Sequence, residues 1–347
     1  MSSNKQTIIA IDAMGGDIGP SAVIPGAIEA ARQTGAKVLL VGIQEVVEAK
    51  LSKLALDGVD YEIVHASEVA SMDEKPSEIL RRKKDASIQV ACRLVRDGKA
   101  DGVLSAGHSG ACVACGMFII GRIPHVDRPA FASVLPTAKK PVVLLDVGST
   151  VDCKPYNIFQ FGLMGSAFAA DILDRENPTV GLVSIGEEEG KGNSQVKEAY
   201  ELLKMAKHIN FVGNIEGRDI FTGDVDVAVC DGFVGNIALK LTEGLATTFG
   251  RLLKRELLHS GMMTKLGLLL ARPGLKRFAQ VVDYAEYGGA PLLGLKGISF
   301  VCHGRSNAKA ICSATKMAVR YVEKRTNEHL VANISANEEL AIYKISC

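Results

Sequence analysis

At 347 residues the chain is long enough for one large α/β unit or two joined lobes, and 47% hydrophobic residues at a mean hydropathy of +0.16 supply ample material for a core. A net charge of only +1 excludes bulk nucleic-acid binding through a basic surface. No apolar run reaches spanning length, MSSNKQTIIAID is too short a run for a signal peptide, and eight cysteines without small-domain spacing suit a reducing compartment, so a cytoplasmic protein is expected.

Short β-branched runs alternate with helical patterns along the whole chain. In order, TIIAID, KVLLVG, YEIVH, GVLSAG, FASVLP, VVLLDVG, TVGLVSIG, FVGNI, VDVAVCD and ISFVCHG read as strands. Helical patterns run over Ser21–Thr34, Ala86–Asp97, Tyr156–Leu173, Ser194–His208 and Asn307–Lys324. The alternation predicts a mostly parallel sheet covered on both faces. FASVLP and VVLLDVG, separated only by a short segment containing Thr137–Pro141, predict a hairpin and hence a mixed sheet. No repeat, linker or low-complexity tract interrupts the chain.

The strand ends carry the chemistry. IAID leads into AMGGD, VLSAG into HSGAC, LLDVG into STVDC, LVSIG into EEEGKGN, VAVCD into GFVGN and FVCHG into RSNAK. Each pairs glycine with a polar or charged residue, and ligands of open α/β sheets bind beyond the carboxyl ends of strands. The pattern predicts one cleft shared by all of these ends.

Familiar fingerprints are missing. No GxGxxG follows a strand, and Gly186–Lys191 is one residue short of a P-loop, lacks its Ser/Thr and carries three acids. Cys112 and Cys115 form a lone CxxC, read as small thiols on one helix face. No HExxH and no GxSxG is present, so neither a metal nor another cofactor is expected. The opening turn, with Asp12, Gly15, Gly16 and Asp17, has a glycine bend suited to an anion but no lysine. Cations come from elsewhere. Arg81, Arg82, Lys83 and Lys84 form a run of which one or two members face the cleft; Lys191 and Asn193 sit on a glycine turn; Asn236 and Lys240 follow DGFVG. Asp12, Asp17 and Asp231 either orient these cations or cap helices.

DAMGGDIGP, KPSEILRRKKDAS, SAGHSGAC, LDVGSTVDCKP, SIGEEEGKGN, FVGNIEGRDI, DGFVGNIALKLTEG and GGAPLLGLKG with CHGRS resemble the bacterial acyl-acyl-carrier-protein:phosphate acyltransferases (PlsX), in order from about residue 8 to 310. The chain departs from that pattern at His108 and Ser109, where SAGNTGA is expected, and at Ser149 and Thr150, where LDVGAN is expected. The resemblance implies a three-layer, doubly wound mixed α/β fold like that of the isocitrate/isopropylmalate dehydrogenases and phosphotransacetylase, acting as a homodimer. It implies transfer of a fatty acyl group from acyl carrier protein to inorganic phosphate, with the acyl phosphate passed to a membrane-bound acyl-phosphate:glycerol-3-phosphate acyltransferase. Such chemistry needs two reactants held in line and donors for an oxyanion, not a covalent nucleophile. Carried onto this chain, Lys84, Lys191, Asn193, Asp231 and Asn236 are the catalytic candidates. Asp12, Gly15, Gly16, Asp17, Arg81, Gly107, His108, Ser109, Lys240, His303 and Ser306 are the substrate-binding candidates.

Residues 241–278 read as a helical arm. Leu241, Leu245, Phe249, Leu252, Leu253 and Leu257 recur at helical spacing, as in a core or dimer-interface helix. From Arg251 to Arg277 seven Lys/Arg meet one Glu, a local +6 that leaves −5 for the rest of the chain. Arg251, Lys254, Arg255, Lys265, Leu269, Arg272 and Lys276 are therefore expected to touch the inner membrane surface or the acidic carrier protein. Two other functions compete: a phosphotransacetylase using short acyl-coenzyme A, and a non-catalytic scaffold for lipid enzymes. A scaffold would need the arm but not the polar strand ends.

Overall fold

The computed structural model describes residues 5–259, 261–282 and 288–344. Its first half runs β1 (Ile8–Asp12), α1 (Pro20–Thr34), β2 (Lys37–Gly42), α2 (Gln44–Leu51), β3 (Tyr61–His65), α3 (Pro76–Arg82), α4 (Ser87–Arg96), β4 (Gly102–Ser105), α5 (Ser109–Cys115), β5 (Ala130–Leu135) and β6 (Val142–Leu145). There follow α6 (Pro155–Ile172), β7 (Thr179–Val183), α7 (Ser194–Met205), β8 (Asn210–Ile215), β9 (Val227–Val229), α8 (Gly232–His259), α9 (Met262–Val282), β10 (Ala290–Leu293), β11 (Ile298–Val301), α10 (Ala308–Glu323) and α11 (Thr326–Ser335).

All strands join one sheet in the order β3-β2-β1-β4-β11-β10-β5-β6-β9-β7-β8. Alternation of side chains along each strand sends successive residues to opposite faces, and this builds two cores. Ile9, Ile11, Val38, Leu40, Val143 and Leu145 face one layer with Ile24 and Ile28 of α1, Phe159 and Phe168 of α6, and Ile311 of α10. Ala10, Leu39, Val41, Val142 and Leu144 face the other with Ile88 and Val95 of α4 and Cys112 and Cys115 of α5. The three-layer mixed α/β reading is thus met. α6 is buried on nearly every side, as a helix apolar all round must be. Gly26 lets α1 and α10 cross closely, since a Cβ there would lie 2.5 Å from the Ala308 carbonyl oxygen.

The expected β5–β6 hairpin is present, with Ala132 opposite Leu145 and Leu135 opposite Val142. Sequence reading missed β10, which pairs antiparallel with both β11 and β5. That strand alters the geometry. β1, β4 and β11 run parallel to one another, as do β6, β9 and β7, but the antiparallel steps at β10 and β5 reverse one set relative to the other.

Candidate active site

The six polar strand ends therefore do not open from one edge of the sheet. They form two clusters of three, on strands that run in opposite directions across β10 and β5.

The first cluster closes over Asp12 at the end of β1. Its carboxylate is 3% exposed and accepts hydrogen bonds from the hydroxyls of Ser87 and Ser105, both at 2.6 Å. Burial pushes its pKa up, while those hydroxyls and the N–H groups of Met14 and Gly15 act against the rise. Gly15 and Gly16 are needed for backbone contact: a Cβ on Gly15 would lie 2.8 Å from the Gly107 nitrogen, and Gly16, at φ 94°, fits between Ala106 and Gly304. The opening turn thus holds the ends of β4 and β11, and Asp17 donates its N–H to the Gly304 carbonyl at 2.7 Å. Asp17 itself is exposed, 3.7 Å from the Arg305 guanidinium. The N–H of Gly107 donates to Ser105 Oγ at 3.0 Å. His108 caps α5, its Nδ1 accepting from the Ala111 N–H, and Ser109 is exposed on the first turn. His303 is exposed, with Nδ1 accepting from the Arg305 N–H. Ser306 is 3% exposed and its hydroxyl has no partner among the described residues.

The basic run lies beside this cluster. Arg81 is exposed at the end of α3. Lys83 is tied to Glu74 and the Val69 carbonyl, both at 2.8 Å, and the Lys84 ammonium donates to the Leu80 carbonyl at 2.7 Å.

The second cluster turns on Asp146, which sequence reading did not select. Its carboxylate, 0% exposed, accepts from the N–H groups of Phe131 (2.9 Å), Gly148 (3.1 Å), Ser149 (3.0 Å) and Thr150 (2.8 Å). Against this turn lies the start of α8. Asp231 Oδ1 accepts from the N–H groups of Phe233 and Val234, each at 2.9 Å, so its observed part is the helix cap. Asn236 lies across Gly148, where a Cβ would approach its side chain to 3.3 Å. Asn193 likewise caps α7, accepting from the Val196 N–H at 2.9 Å. Lys191 is exposed on the turn before it and has no ion-pair partner among the described residues; Lys240 is exposed farther along α8. Two thiols lie at this cluster: Cys153 donates to the Thr150 carbonyl at 3.2 Å and is pushed up to about 12 by burial, and buried Cys230, 3.8 Å from the Asp146 carbonyl, is pushed up as well.

The arm is α8 and α9. Val234, Ile237, Leu241, Leu245, Phe249, Leu252 and Leu253 are all exposed, so the core reading of this helix is corrected: the described residues of one chain do not cover its apolar stripe. Arg251, Lys254, Arg255, Arg272 and Lys276 are exposed, and Leu269 and Leu270 are 63% and 78% exposed. The side chain of Lys265 lies outside the described residues. No described helix is long and apolar enough to cross a membrane.

Residues 7–329 match the family model described as fatty acid synthesis protein. The chain is similar to the phosphate acyltransferases of Nitratidesulfovibrio vulgaris, 70% identical over 98% of both chains, and of Lawsonia intracellularis, 64% identical over the full length of both. In fold it is similar to a phosphotransacetylase from Streptococcus pyogenes (TM-score 0.63, 18% identity, 92% of this chain and 95% of that one). A branched-chain phosphotransacylase from Enterococcus faecalis is also similar (TM-score 0.55, 15% identity, 91% and 99%).

Proposed function

The chain belongs to the phosphate acyltransferases of the fatty acid synthesis protein family, and from that premise we propose that it moves a long-chain acyl group from acyl carrier protein to inorganic phosphate. It is an acyltransferase acting with phosphate. The carrier-protein donor, the phospholipid destination and the kinship with isocitrate/isopropylmalate dehydrogenases are parts of this proposal.

In the proposed reaction a phosphate oxygen attacks the thioester carbonyl carbon directly. The carbonyl oxygen becomes an oxyanion, the C–S bond breaks, and the carrier leaves as a thiolate that takes a proton from water. Direct attack is supported by the two thiols beside the Asp146 turn, Cys153 on the Thr150 carbonyl and the buried Cys230 on the Asp146 carbonyl: burial pushes both up and keeps them protonated, which makes them poor nucleophiles. The unpaired Lys191 ammonium and the Asn236 amide suit the roles of phosphate ligand and oxyanion donor. The first cluster, with Arg81, Ser109, His303 and Ser306, suits binding of another part of the substrates.

The arm supports the remaining parts. The exposed apolar stripe from Val234 to Leu253 suits burial against another protein surface, and a second copy of the chain would cover it. Leu269 and Leu270 among exposed Arg and Lys fit anionic lipid or an acidic carrier protein. A receiving acyl-phosphate:glycerol-3-phosphate acyltransferase then lies close by.

The test uses purified protein and palmitoyl-acyl carrier protein, following free carrier thiol with and without phosphate and trapping acyl phosphate with hydroxylamine. Phosphate-dependent release supports the proposal. Release without phosphate indicates a thioesterase, release only from acetyl-coenzyme A indicates a phosphotransacetylase, and silence with both donors leaves the scaffold.

A further inference from the structure

We propose that Asp146 is a positioning residue for acyl transfer: its buried carboxylate fixes the 147–150 turn and, through it, the place of Asn236 and the first turn of α8. This role deepens the acyl-transfer reading and rests on it.

The surroundings of Asp146 offer donors on both oxygens. Oδ1 accepts from the N–H groups of Phe131, Gly148 and Ser149, and Oδ2 lies 2.8 Å from the Thr150 nitrogen and 3.1 Å from that of Ser149. The Ser149 hydroxyl stands 2.8 Å from Oδ2 and 2.7 Å from the Pro129 carbonyl, and its single hydrogen serves one at a time. A carboxylate without access to water is costly unless donors surround it, as they do here. The turn gathered around it has no helix or strand ladder of its own.

Bare backbone then transmits that geometry to α8. A Cβ on Gly232 would lie 2.4 Å from the Thr150 carbonyl oxygen and 2.7 Å from Asp146 Oδ2; on Gly235 it would lie 1.9 Å from the Asp146 carbonyl oxygen. The Gly232 N–H donates to the Thr150 carbonyl at 3.0 Å. With no side chains between them, a shift of the turn becomes a shift of the helix. Asn236, one helical turn on, moves with it and away from Gly148.

The test compares Asp146→Asn and Gly232→Ala in phosphate-dependent thiol release and in hydrogen exchange. In either orientation the Asn amide sets an NH2 against N–H donors, so part of the cradle opens. The expected result for D146N is a kcat lower by about 10- to 100-fold with KM for phosphate changed by less than about threefold, since a displacement near 1 Å far from the bonds being made can cost about 100-fold. Exchange should quicken at Gly148–Thr150 and Gly232–Asn236 while the Asp12 cluster keeps its protection. A kcat within about twofold of wild type, or exchange quickened equally in both clusters, overturns the proposal. If D146N does not fold, G232A, whose Cβ would push the first turn of α8 off the Thr150 carbonyl, decides by the same readouts, with a kcat loss of at least about threefold expected and an unchanged kcat overturning the role. Should the wild type itself release no thiol with phosphate, the acyl-transfer reading fails, and the exchange pattern alone tests whether Asp146 holds α8.

Discussion

The contact between α8 and the Asp146 turn can be tested by adding one methyl group. A Cβ on Gly235 would lie 1.9 Å from the Asp146 carbonyl oxygen, whereas ordinary C···O contacts begin at about 3.3 Å, so α8 must retreat by more than about 1 Å. The neighbour is backbone, which cannot rotate aside. Overpacking of this kind costs about 1–3 kcal/mol, and the upper end applies because the Gly232–Thr150 hydrogen bond is pulled open as well. Gly244 is the control on the same helix: nothing lies within 4 Å of its Cβ position, so Gly244→Ala gains only helix propensity, about 0.5–1 kcal/mol. Guanidinium unfolding of the two variants should therefore separate them by about 3.5–4 kcal/mol, G235A below wild type and G244A above it. G235A within about 0.5 kcal/mol of wild type would refute the packing described between α8 and the turn.

Three further outcomes follow from named side chains. Burial holds the folded-state pKa of Asp12 above its unfolded value of 3.8, so its contribution to stability is full below that value and is lost as pH rises through the folded pKa. The stability of wild type relative to D12N should then fall as pH rises above 3.8 in urea titrations, and a flat or widening gap contradicts this. Asp127 is the opposite case: burial raises it, but the Lys344 ammonium at 2.9 Å and the Asn157 amide outweigh burial and hold it below 3.8. Its contribution is present above 3.8 and disappears as pH falls through the depressed value, so K344A should cost up to about 1 kcal/mol at neutral pH and nothing once Asp127 is protonated. K191A should lower kcat/KM for phosphate by about 10- to 100-fold, the worth of a charge-assisted hydrogen bond. K84A, whose ammonium is held by the Leu80 carbonyl, should change it by less than about threefold; equal effects would remove Lys191 from the phosphate site.

Local pattern made most of this fold readable. The β-branched runs became strands, and the helical patterns at Ser21–Thr34, Tyr156–Leu173 and Asn307–Lys324 became α1, α6 and α10 with ends shifted by a residue. APLL escaped because it is short and contains Pro291, which argues against a central strand. The division of the six strand ends into two opposed sets was hidden by the same cause. Strand direction depends on which strands pair, and the reversal comes from residues distant in sequence. Asp146 was hidden because its partners are backbone N–H groups, which leave no side-chain motif. Asp231 stands at a helix cap, the plainer role already weighed for it, and Asn193 caps α7 in the same way.

The hairpin of β10 and β11 is encoded near the end of the chain yet occupies the middle of the sheet. During synthesis β3-β2-β1-β4 and β5-β6-β9-β7-β8 can each assemble before it emerges, and β4 and β5 then remain as raw edges facing one another. Unpaired edges are templates for other chains. The nascent protein is therefore most open to aggregation in the interval before residues 290–301 arrive, and insertion of that hairpin is the step that makes two half-sheets one molecule.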